Sequence, residues 1–326
     1  MTWNPYYRGD GVVRDDVRLP DPPPWRRFPR SSAAEEFHPP EGLVDAVNAA
    51  LALRRPLLIT GSPGTGKSTV IEQVAAELAL GPVLRWHVTS RSTLADALYR
   101  YDVLGRIHAH RLQQEKARAG EPGAEIAEDD ISAFMTLGPL GTALLPSPRP
   151  RALLIDEIDK ADLDLPGDLL DVLERGEFLV EELRREGQEV ARLRISGEDS
   201  THVVERGHVQ CTEFPFIVMT SNGEQELPAP FLRRCLRFSM PRPTSALVRE
   251  VVRKHLRMDV PEDGPVAELV EDFVRRVRGG ESIAIDQLLS TIHLLDGPPR
   301  SPSTAQLGEV ERGKLVRLLM KDLSGA

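Results

Sequence analysis

The sequence predicts an α/β protein in which a parallel sheet is followed by a small helical domain. Between residues 41 and 88, segments with helical spacing of apolar residues alternate with short apolar runs that are typical of buried strands. Such alternation favours a parallel sheet, because a helix usually carries the chain from one parallel strand to the next. Beyond Pro243 the spacing of apolar residues is helical throughout. A length of 326 residues accommodates one large core and a smaller appended domain.

The first half of the chain supplies the helices and strands of this alternation. Residues 41–55 predict a helix, which the strand PLLIT at 56–60 follows. Residues 67–80 predict a second helix, and VLRWHV at 83–88 predicts a second strand. The apolar face of the first helix is expected to contain Leu43, Val44, Val47, Ala50 and Leu51, and that of the second Val70, Val74 and Leu78.

The predicted domains are an arm (1–40), a core (41–242) and a helical part (243–326). The arm contains PDPPP and HPP and no periodicity, and its aromatic residues favour packing along the core or a neighbouring subunit over a free tail. Helices are expected at 245–257, 265–278 and 282–295, with a last helix after the proline-rich break at 298–302. Residues 113–130 indicate a surface insertion, and 178–212 a long β-hairpin that projects from the sheet. The aromatic residues of the arm are Trp3, Tyr6, Tyr7, Trp25 and Phe28.

Composition and targeting signals indicate an ordinary cytoplasmic protein. Hydrophobic residues make up 40% of the chain and charged residues 28%, and no apolar run reaches the roughly 18 residues of a membrane span. The N-terminus lacks the order of a signal peptide. The chain contains two cysteines, Cys211 and Cys235, which are expected to be buried thiols rather than a disulfide. We therefore expect a reducing compartment and no membrane partner.

The net charge of −9 disfavours nucleic-acid binding, because that binding draws its affinity from a basic surface that neutralises phosphates. Four arginines within the predicted hairpin keep a nucleic-acid-associated motor open as an alternative. They are Arg184, Arg185, Arg192 and Arg194.

The segment GSPGTGKS at residues 61–68 matches the spacing G-x-x-x-x-G-K-[ST] of a phosphate-binding loop. Glycines allow backbone N–H groups to surround phosphate oxygens, and the following helix directs its positive end at them. The lysine then reaches the β and γ phosphates, and Ser68 binds Mg²⁺. The predicted nucleotide-binding residues are Gly61, Ser62, Pro63, Gly64, Thr65, Gly66, Lys67, Ser68 and Thr69.

The run RALLIDEID at 151–159 predicts a buried strand that ends in two acids, Asp156 and Glu157. Ligands of parallel sheets bind at the carboxyl ends of the strands. Asp156 is expected to hold Mg²⁺ through its water shell, and Glu157 to polarise the water that attacks the γ phosphate.

A third apolar run, FPFIVMTSN at 214–222, ends in Asn222, which could orient that water or simply form a turn. After it, LPAPFLRRCLRF at 227–238 carries Arg233, Arg234 and Arg237. A guanidinium supplied by a neighbouring subunit can stabilise the transferring phosphoryl group, although a solvated basic face is equally compatible with the cluster. His202, His208 and Cys211 match no zinc spacing and indicate a hairpin surface.

Together these motifs resemble the AAA+ ATPases, and within them the MoxR-like branch. GSPGTGKS is similar to Walker A, LLIDEID to Walker B, MTSN to the sensor 1 strand and LPAPFLRRCLRF to the arginine-finger segment. LLIDEIDKAD followed by DLLDVLERGEF favours this branch. The resemblance covers roughly residues 41–295.

The resemblance implies an αβα sandwich with strand order 5-1-4-3-2 and a helical lid. It implies ATP and Mg²⁺ bound between subunits of a ring, commonly a hexamer, with Arg234 as the finger and Arg233 as the reserve. Lys160 is expected at the same interface. Partners of the branch often carry a von Willebrand factor A domain, and its members act as chaperone-like remodellers.

One position departs from the family pattern. The lid helix that usually begins with a basic sensor 2 residue reads ESIAIDQLL, without Lys or Arg. Either Arg275, Arg276 or Arg278 substitutes for it, or closure of the lid on the nucleotide is weak. Alternatives to a remodeller are a nucleotide-dependent switch in a conflict or signalling system and a small-molecule kinase. GTP is a weaker alternative to ATP, because no guanine-reading motif is present.

Overall fold

The computed structural model describes residues 9–13, 15, 21–27, 37–119, 130–296 and 308–322. The chain forms two compact units, which are described separately. An α/β unit comprises Pro39–Thr60 and Ser68–Ser239, and a helical unit comprises Met1–His38, Gly61–Lys67 and Met240–Ala326. The predicted domain limits remain predictions.

The main sheet of the α/β unit has five parallel strands in the order β11-β1-β10-β5-β2. Counted only among themselves along the chain, these strands run 5-1-4-3-2. The element numbers differ from that order because six further strands form a second sheet. The main-sheet strands are β1 (Leu57–Thr60), β2 (Leu84–His87), β5 (Ala152–Asp156), β10 (Phe216–Ser221) and β11 (Leu236–Ser239).

The central strands are buried on both faces, as parallel strands covered by helices must be. Every residue of β10 is buried, and β5 is buried from Ala152 to Ile155. Because β10 pairs with both β1 and β5, the carboxyl ends of these three strands meet at one edge of the sheet. This edge carries the predicted polar residues.

Two helices of the α/β unit were predicted, and both are observed with differences on their apolar faces. The first spans Leu43–Leu53 and buries Leu43, Val47 and Ala50, but Val44 is 54% exposed, so its assignment to the buried face was wrong. The second ends at Glu77, so Leu78, which is 40% exposed, was also assigned wrongly. The described helices of this unit are α1 (Leu43–Leu53), α2 (Thr69–Glu77), α3 (Leu94–Leu98), α4 (Val103–Arg118), α5 (Pro139–Ala143), α6 (Leu165–Arg175), α7 (Glu181–Glu186) and α8 (Ala229–Arg234).

The predicted hairpin at 178–212 is correct only in part. Two strands, β7 (Val190–Arg194) and β8 (Thr201–Glu205), do form an antiparallel pair. Residues 181–186, however, form α7 instead of a strand. The sequence EELRRE explains the helix, because acids occupy its first turn, bases its last turn, and Gly187 ends it with φ of 69°. Arg184 and Arg185 therefore lie on a helix, apart from the strand that carries Arg192 and Arg194.

The second sheet has the order β3-β4-β7-β8-β9-β6. Its inward face contributes Leu137, Leu193 and Val204 to the same hydrophobic core as the main sheet. The hairpin is thus one part of a sheet that packs on this core. The strands are β3 (Tyr99–Tyr101), β4 (Met135–Leu137), β6 (Glu177–Leu179), β7 (Val190–Arg194), β8 (Thr201–Glu205) and β9 (His208–Gln210).

The predicted insertion at 113–130 was also placed too early, because residues 113–118 are the last turns of α4. The residues QQEKAR are good helix formers, so the helix continues through a segment that polarity alone assigned to a loop. Residues 120–129 lie outside the described residues.

The helical unit packs α9 (Ser245–Leu256), α10 (Pro265–Arg278), α11 (Ile285–Asp296) and α12 (Glu309–Leu319) around an apolar core. Its most buried members include Val248, Val270 and Ile292. Helix α9 begins where predicted, because the Thr244 hydroxyl accepts the Leu247 N–H. The proline-rich break at 298–302 lies outside the described residues.

Part of the arm belongs to the helical unit. A 3₁₀ turn spans Pro24–Arg26, and Trp25 packs edge-on against His293 at a ring separation of 5.6 Å. Trp25 therefore packs on the core of the helical unit, whereas the sequence predicted packing of the arm along residues 41–242 or a neighbouring subunit. The other four, Trp3, Tyr6, Tyr7 and Phe28, lie outside the described residues.

Candidate functional site

The phosphate-loop motif connects β1, which ends at Thr60, to α2, which begins at Thr69. This is the strand–loop–helix context that the motif requires. Two of its glycines are needed for their conformation as well as for space. Gly64 and Gly66 have φ of 76° and 81°, and a Cβ atom on Gly66 would lie 2.9 Å from the Phe37 ring.

The loop is held by its own polar side chains. The Thr65 hydroxyl donates to the Ser62 carbonyl at 2.8 Å. Lys67 is 7% exposed, and its Nζ donates to the carbonyls of Gly61 and Ser62 at 2.8 and 2.9 Å. A buried ammonium group beside glycine N–H groups is suited to bind phosphate oxygens.

The two predicted metal-binding residues lie together in the α/β unit. Ser68 Oγ donates to Asp156 Oδ1 at 2.9 Å. Asp156 is the last residue of β5, and Ser68 immediately precedes α2. A hydroxyl and a carboxylate are the hard oxygen donors that Mg²⁺ prefers, and Mg²⁺ commonly completes its shell with water and phosphate oxygens. These residues therefore fit Mg²⁺ bound together with a nucleotide.

A third residue, Thr220, supports this pair and was missed by the sequence analysis. Its hydroxyl donates to Asp156 Oδ1 at 2.6 Å and accepts the Glu157 N–H at 2.9 Å. The signal in the sequence that could have identified Thr220 was its position in the MTSN run, two residues before the predicted Asn222. The side chain thus fixes both acids at the end of β5.

Glu157 has a left-handed backbone and a restrained carboxylate. Its φ and ψ are 59° and 48°, a conformation that non-glycine residues adopt only when the surroundings hold them there. Oε2 accepts from Lys160 Nζ at 2.8 Å and lies 3.6 Å from His87 Nε2. The hydrogen bond to Glu157 raises the pKa of Lys160, and the negative charges of Glu224 and Asp159 add to this effect.

Asn222 follows β10, the strand between β1 and β5, as predicted. Its backbone N–H donates to Asp159 Oδ2 at 2.9 Å, and its Nδ2 lies 3.4 Å from Glu224 Oε1. Asp159, in the same acidic run as Asp156 and Glu157, was not assigned a role from the sequence. The structure makes it the link between the ends of β5 and β10.

The candidate finger arginines lie at the end of α8 and contact other groups. The guanidinium of Arg234 pairs with Glu174 through Nε and donates from Nη1 to the Pro230 carbonyl at 3.1 Å. Arg55 donates to the carbonyls of Arg233, Arg234 and Cys235, which holds the end of the helix. Arg233 and Arg234 also line a cleft of about 410 Å³. Within the described part of the α/β unit, these partners differ from the metal candidates Ser68 and Asp156.

The other candidates have structural surroundings. Arg276 pairs with Glu281 and donates to the Met320 carbonyl at 2.9 Å, and Arg275 pairs with Asp272. Both cysteines are free thiols, and burial raises the pKa of Cys235 to about 12. Among the described residues, no group of three or more His, Cys, Asp or Glu side chains is arranged to hold a metal ion. No described helix is long and apolar enough to cross a bilayer.

The fold and the loop define a P-loop nucleotide-binding protein of the α/β class. The profile of the AAA domain, dynein-related subfamily, matches residues 56–235, which is more than half of the chain. The chain therefore belongs to the AAA domain family, whose general activity is nucleotide hydrolysis.

A curated relative agrees with this assignment. The chain is 31% identical over 149 residues to an "ATP-dependent protease ATP-binding subunit-like protein" of Rhodococcus erythropolis. The match covers 42% of this chain and 37% of the relative. The aligned part is thus little more than a third of that protein.

Proposed function

We propose that the chain is an ATP-hydrolysing ring subunit of the MoxR-like branch, which remodels or activates a partner protein. The observation that carries the proposal is the joining of Ser68, Asp156 and Thr220 by two hydrogen bonds of 2.9 and 2.6 Å. These bonds hold Ser68, the last residue of the phosphate-loop motif, against Asp156 at the end of β5. Mg²⁺ held there would neutralise charge on the phosphates of ATP.

The roles of Glu157 and Asn222 follow from their positions directly after β5 and β10. Glu157 would polarise the attacking water, and Asn222, at the end of the neighbouring strand, would orient it. Lys67 would bind the β and γ phosphates. Each of these side chains supplies an oxygen or nitrogen atom of the kind that its role in ATP hydrolysis requires.

An arrangement of subunits in a ring is supported by the contacts of Arg234. Within the described α/β unit this residue pairs with Glu174 on α6 and not with the metal candidates Ser68 and Asp156. A finger that acts on the nucleotide of a neighbour would behave in this way. We propose a homo-oligomer, most simply a hexamer, and a protein partner that carries a von Willebrand factor A domain, as is common in this branch.

A nucleotide-dependent switch is the second candidate, because Lys160 engages the Glu157 carboxylate at 2.8 Å. In a switch, this ion pair would limit turnover and leave binding intact. A nucleic-acid motor has less support, since the four arginines that suggested it are divided between α7 and β7 and the chain is acidic.

The test is the ATPase rate per subunit as a function of protein concentration, with the oligomeric mass recorded with and without ATP and Mg²⁺. A rate that increases as a larger assembly forms is expected for active sites between subunits. A high rate from a monomer would contradict the ring, and an assembly that binds ATP without turnover would favour the switch.

Mixing of inactive variants tests whether the finger acts between subunits. R234A and E157Q should each be inactive, and their mixture should recover part of the activity because some interfaces combine an intact Glu157 with an intact Arg234. R175A is a matched control, since Arg175 is exposed and pairs only with Asp171 of its own helix; its rate should equal that of the unaltered protein. No recovery at any ratio would contradict Arg234 as the finger.

A further inference from the structure

Asp159 is a buried carboxylate to which neither the motifs nor the proposed reaction assigns a role. It is 2% exposed and lies in the 3₁₀ turn Ile158–Lys160, two residues after Glu157. A buried acid is costly unless hydrogen bonds compensate for its lost hydration. The groups that donate hydrogen bonds to Asp159 therefore indicate its role.

Both donors belong to the segment that follows β10. Asp159 Oδ2 accepts the backbone N–H of Asn222 at 2.9 Å and that of Glu224 at 3.0 Å. The other oxygen, Oδ1, is buried and has no hydrogen-bond partner among the described residues. One oxygen atom thus holds two residues of the same turn.

The turn has a left-handed residue at its centre. Gly223 lies between the two donors with φ of 80°, and its N–H donates to Ser221 Oγ at 3.0 Å. The backbone of residue 222 sets the direction in which the Asn222 side chain leaves the chain, so the bond to Asp159 helps to determine where its amide can reach. Removing the Asp159 carboxylate would take away the acceptor that the N–H groups of Asn222 and Glu224 share.

The same contacts lead toward the candidate finger. Asp159 lines a small cavity together with residues Gln225, Glu226, Leu227 and Pro228, which connect the turn to α8. Asp159 thus borders the segment that leads to Arg233 and Arg234.

We propose that Asp159 is a positioning residue: it fixes the turn at 222–224 so that Asn222 orients the attacking water. This inference rests on the proposed function, because it assigns Asn222 its role in hydrolysis. It adds a side chain that acts through Asn222.

The experiment compares D159A with D162A, and both with N222A and the double variant D159A/N222A. Asp162 lines the same cavity but is exposed, and among the described residues its carboxylate accepts the N–H of Leu163 alone, so D162A is a matched control. D159A removes the acceptor of both N–H groups, whereas asparagine would keep one oxygen for them. D159A should lower kcat by about tenfold through misplacement of Asn222. Its KM for ATP and its affinity for ATP should stay within about twofold, because the phosphate loop is unchanged.

The double variant separates positioning from a general loss of structure. If Asp159 acts through Asn222, D159A/N222A should be no slower than N222A alone, whereas independent effects would multiply. Multiplying effects, or a D159A rate equal to that of D162A, would overturn the inference and leave the proposed function intact. An unchanged rate in N222A would instead remove Asn222 from the proposed reaction, and this inference with it.

A measurement on the unaltered protein keeps the inference testable if D159A does not fold. Backbone N–H groups bonded to a buried carboxylate exchange slowly with solvent deuterium. The amides of Asn222 and Glu224 should exchange at least about tenfold more slowly than that of Gln225. Equal exchange at the three positions would show that the turn is not held, and would overturn the inference.

Discussion

Thr220 joins the two acids of β5 to the neighbouring strand: its hydroxyl donates to Asp156 at 2.6 Å and accepts the backbone N–H of Glu157 at 2.9 Å. A single side chain of β10 thereby fixes the orientation of the candidate metal carboxylate and the unusual backbone of the candidate catalytic residue. Residues that orient metal ligands typically affect metal affinity or activity by about 10- to 100-fold.

Replacing Thr220 with valine should therefore raise the Mg²⁺ concentration needed for half-maximal hydrolysis by about tenfold. T220V preserves shape, but it removes the bond to Asp156 and leaves the Glu157 N–H without its acceptor, so we also expect a loss of about 1–3 kcal/mol in stability. The measurements are a Mg²⁺ titration of the rate and a denaturant melt. T212V is the control, because Thr212 makes similar hydroxyl bonds to Ser147 away from the site. An unchanged Mg²⁺ requirement in T220V would contradict this role.

Removal of the Lys67 ammonium should abolish ATP binding. The group is buried within the phosphate loop, and its loss removes the charge-assisted hydrogen bonds that phosphate oxygens would receive. K67A should weaken ATP affinity by at least about a hundredfold in a fluorescent-nucleotide titration, a change of about 2.7 kcal/mol. K116A, which alters an exposed lysine of α4, should bind normally. Ordinary affinity in K67A would count against the assignment of the loop.

Replacing Glu157 with glutamine should separate binding from hydrolysis. E157Q retains the size of the side chain and loses its ability to accept a proton, so kcat should fall by about 10²- to 10⁴-fold while ATP still binds. Single-turnover hydrolysis and equilibrium binding measure the two properties. E189Q, which alters an exposed acid paired with Arg206, should hydrolyse ATP at the ordinary rate. Unchanged turnover in E157Q would remove this residue from its role.

Acidification should destabilise the helical unit in part through His293. Burial lowers the pKa of this histidine, and the positive charge of Arg27 lowers it further. The folded state therefore favours the neutral ring, while the unfolded chain takes up a proton near its ordinary pKa of about 6.5. This contribution to stability is complete above that value and is lost as the pH falls below it.

The corresponding measurement is the difference in Tm between pH 7.5 and pH 5.5. The difference should be smaller in H293Q than in the unaltered protein, because glutamine remains neutral at both values. The exposed His108 supplies the control H108Q, which should retain the full difference. An equal loss of Tm in H293Q and in the unaltered protein would contradict the proposed contribution of His293.

Local patterns predicted the main sheet and the motif-bearing loops well. The buried strands were recognisable because a parallel strand covered on both faces is apolar along its length, as in LLID and FIVMTS. The predictions from local patterns were wrong where polar segments form helices. Residues 181–186 and 113–118 are polar and were assigned to a strand and a loop, yet their straight-chain residues favour helices.

The supporting residues of the site were harder to predict for a physical reason. Thr220 and Asp159 act through hydrogen bonds to residues about sixty positions away along the chain, and such pairs form only when the sheet order places their strands side by side. Arg55 and Glu174 likewise contact the end of α8 from distant parts of the sequence. Nothing in the local pattern of these residues distinguishes them from ordinary polar side chains.

By itself, the sequence determined the phosphate loop, the acidic strand end and the alternation of helices and strands, because each depends on the type and spacing of neighbouring residues. The tertiary structure alone decided which side chains support them: Thr220 on Asp156, Asp159 on Asn222, and Lys160 on Glu157. Those choices depend on strand order, burial and distances of about 3 Å, since a hydrogen bond forms only between groups that the fold has already brought into contact.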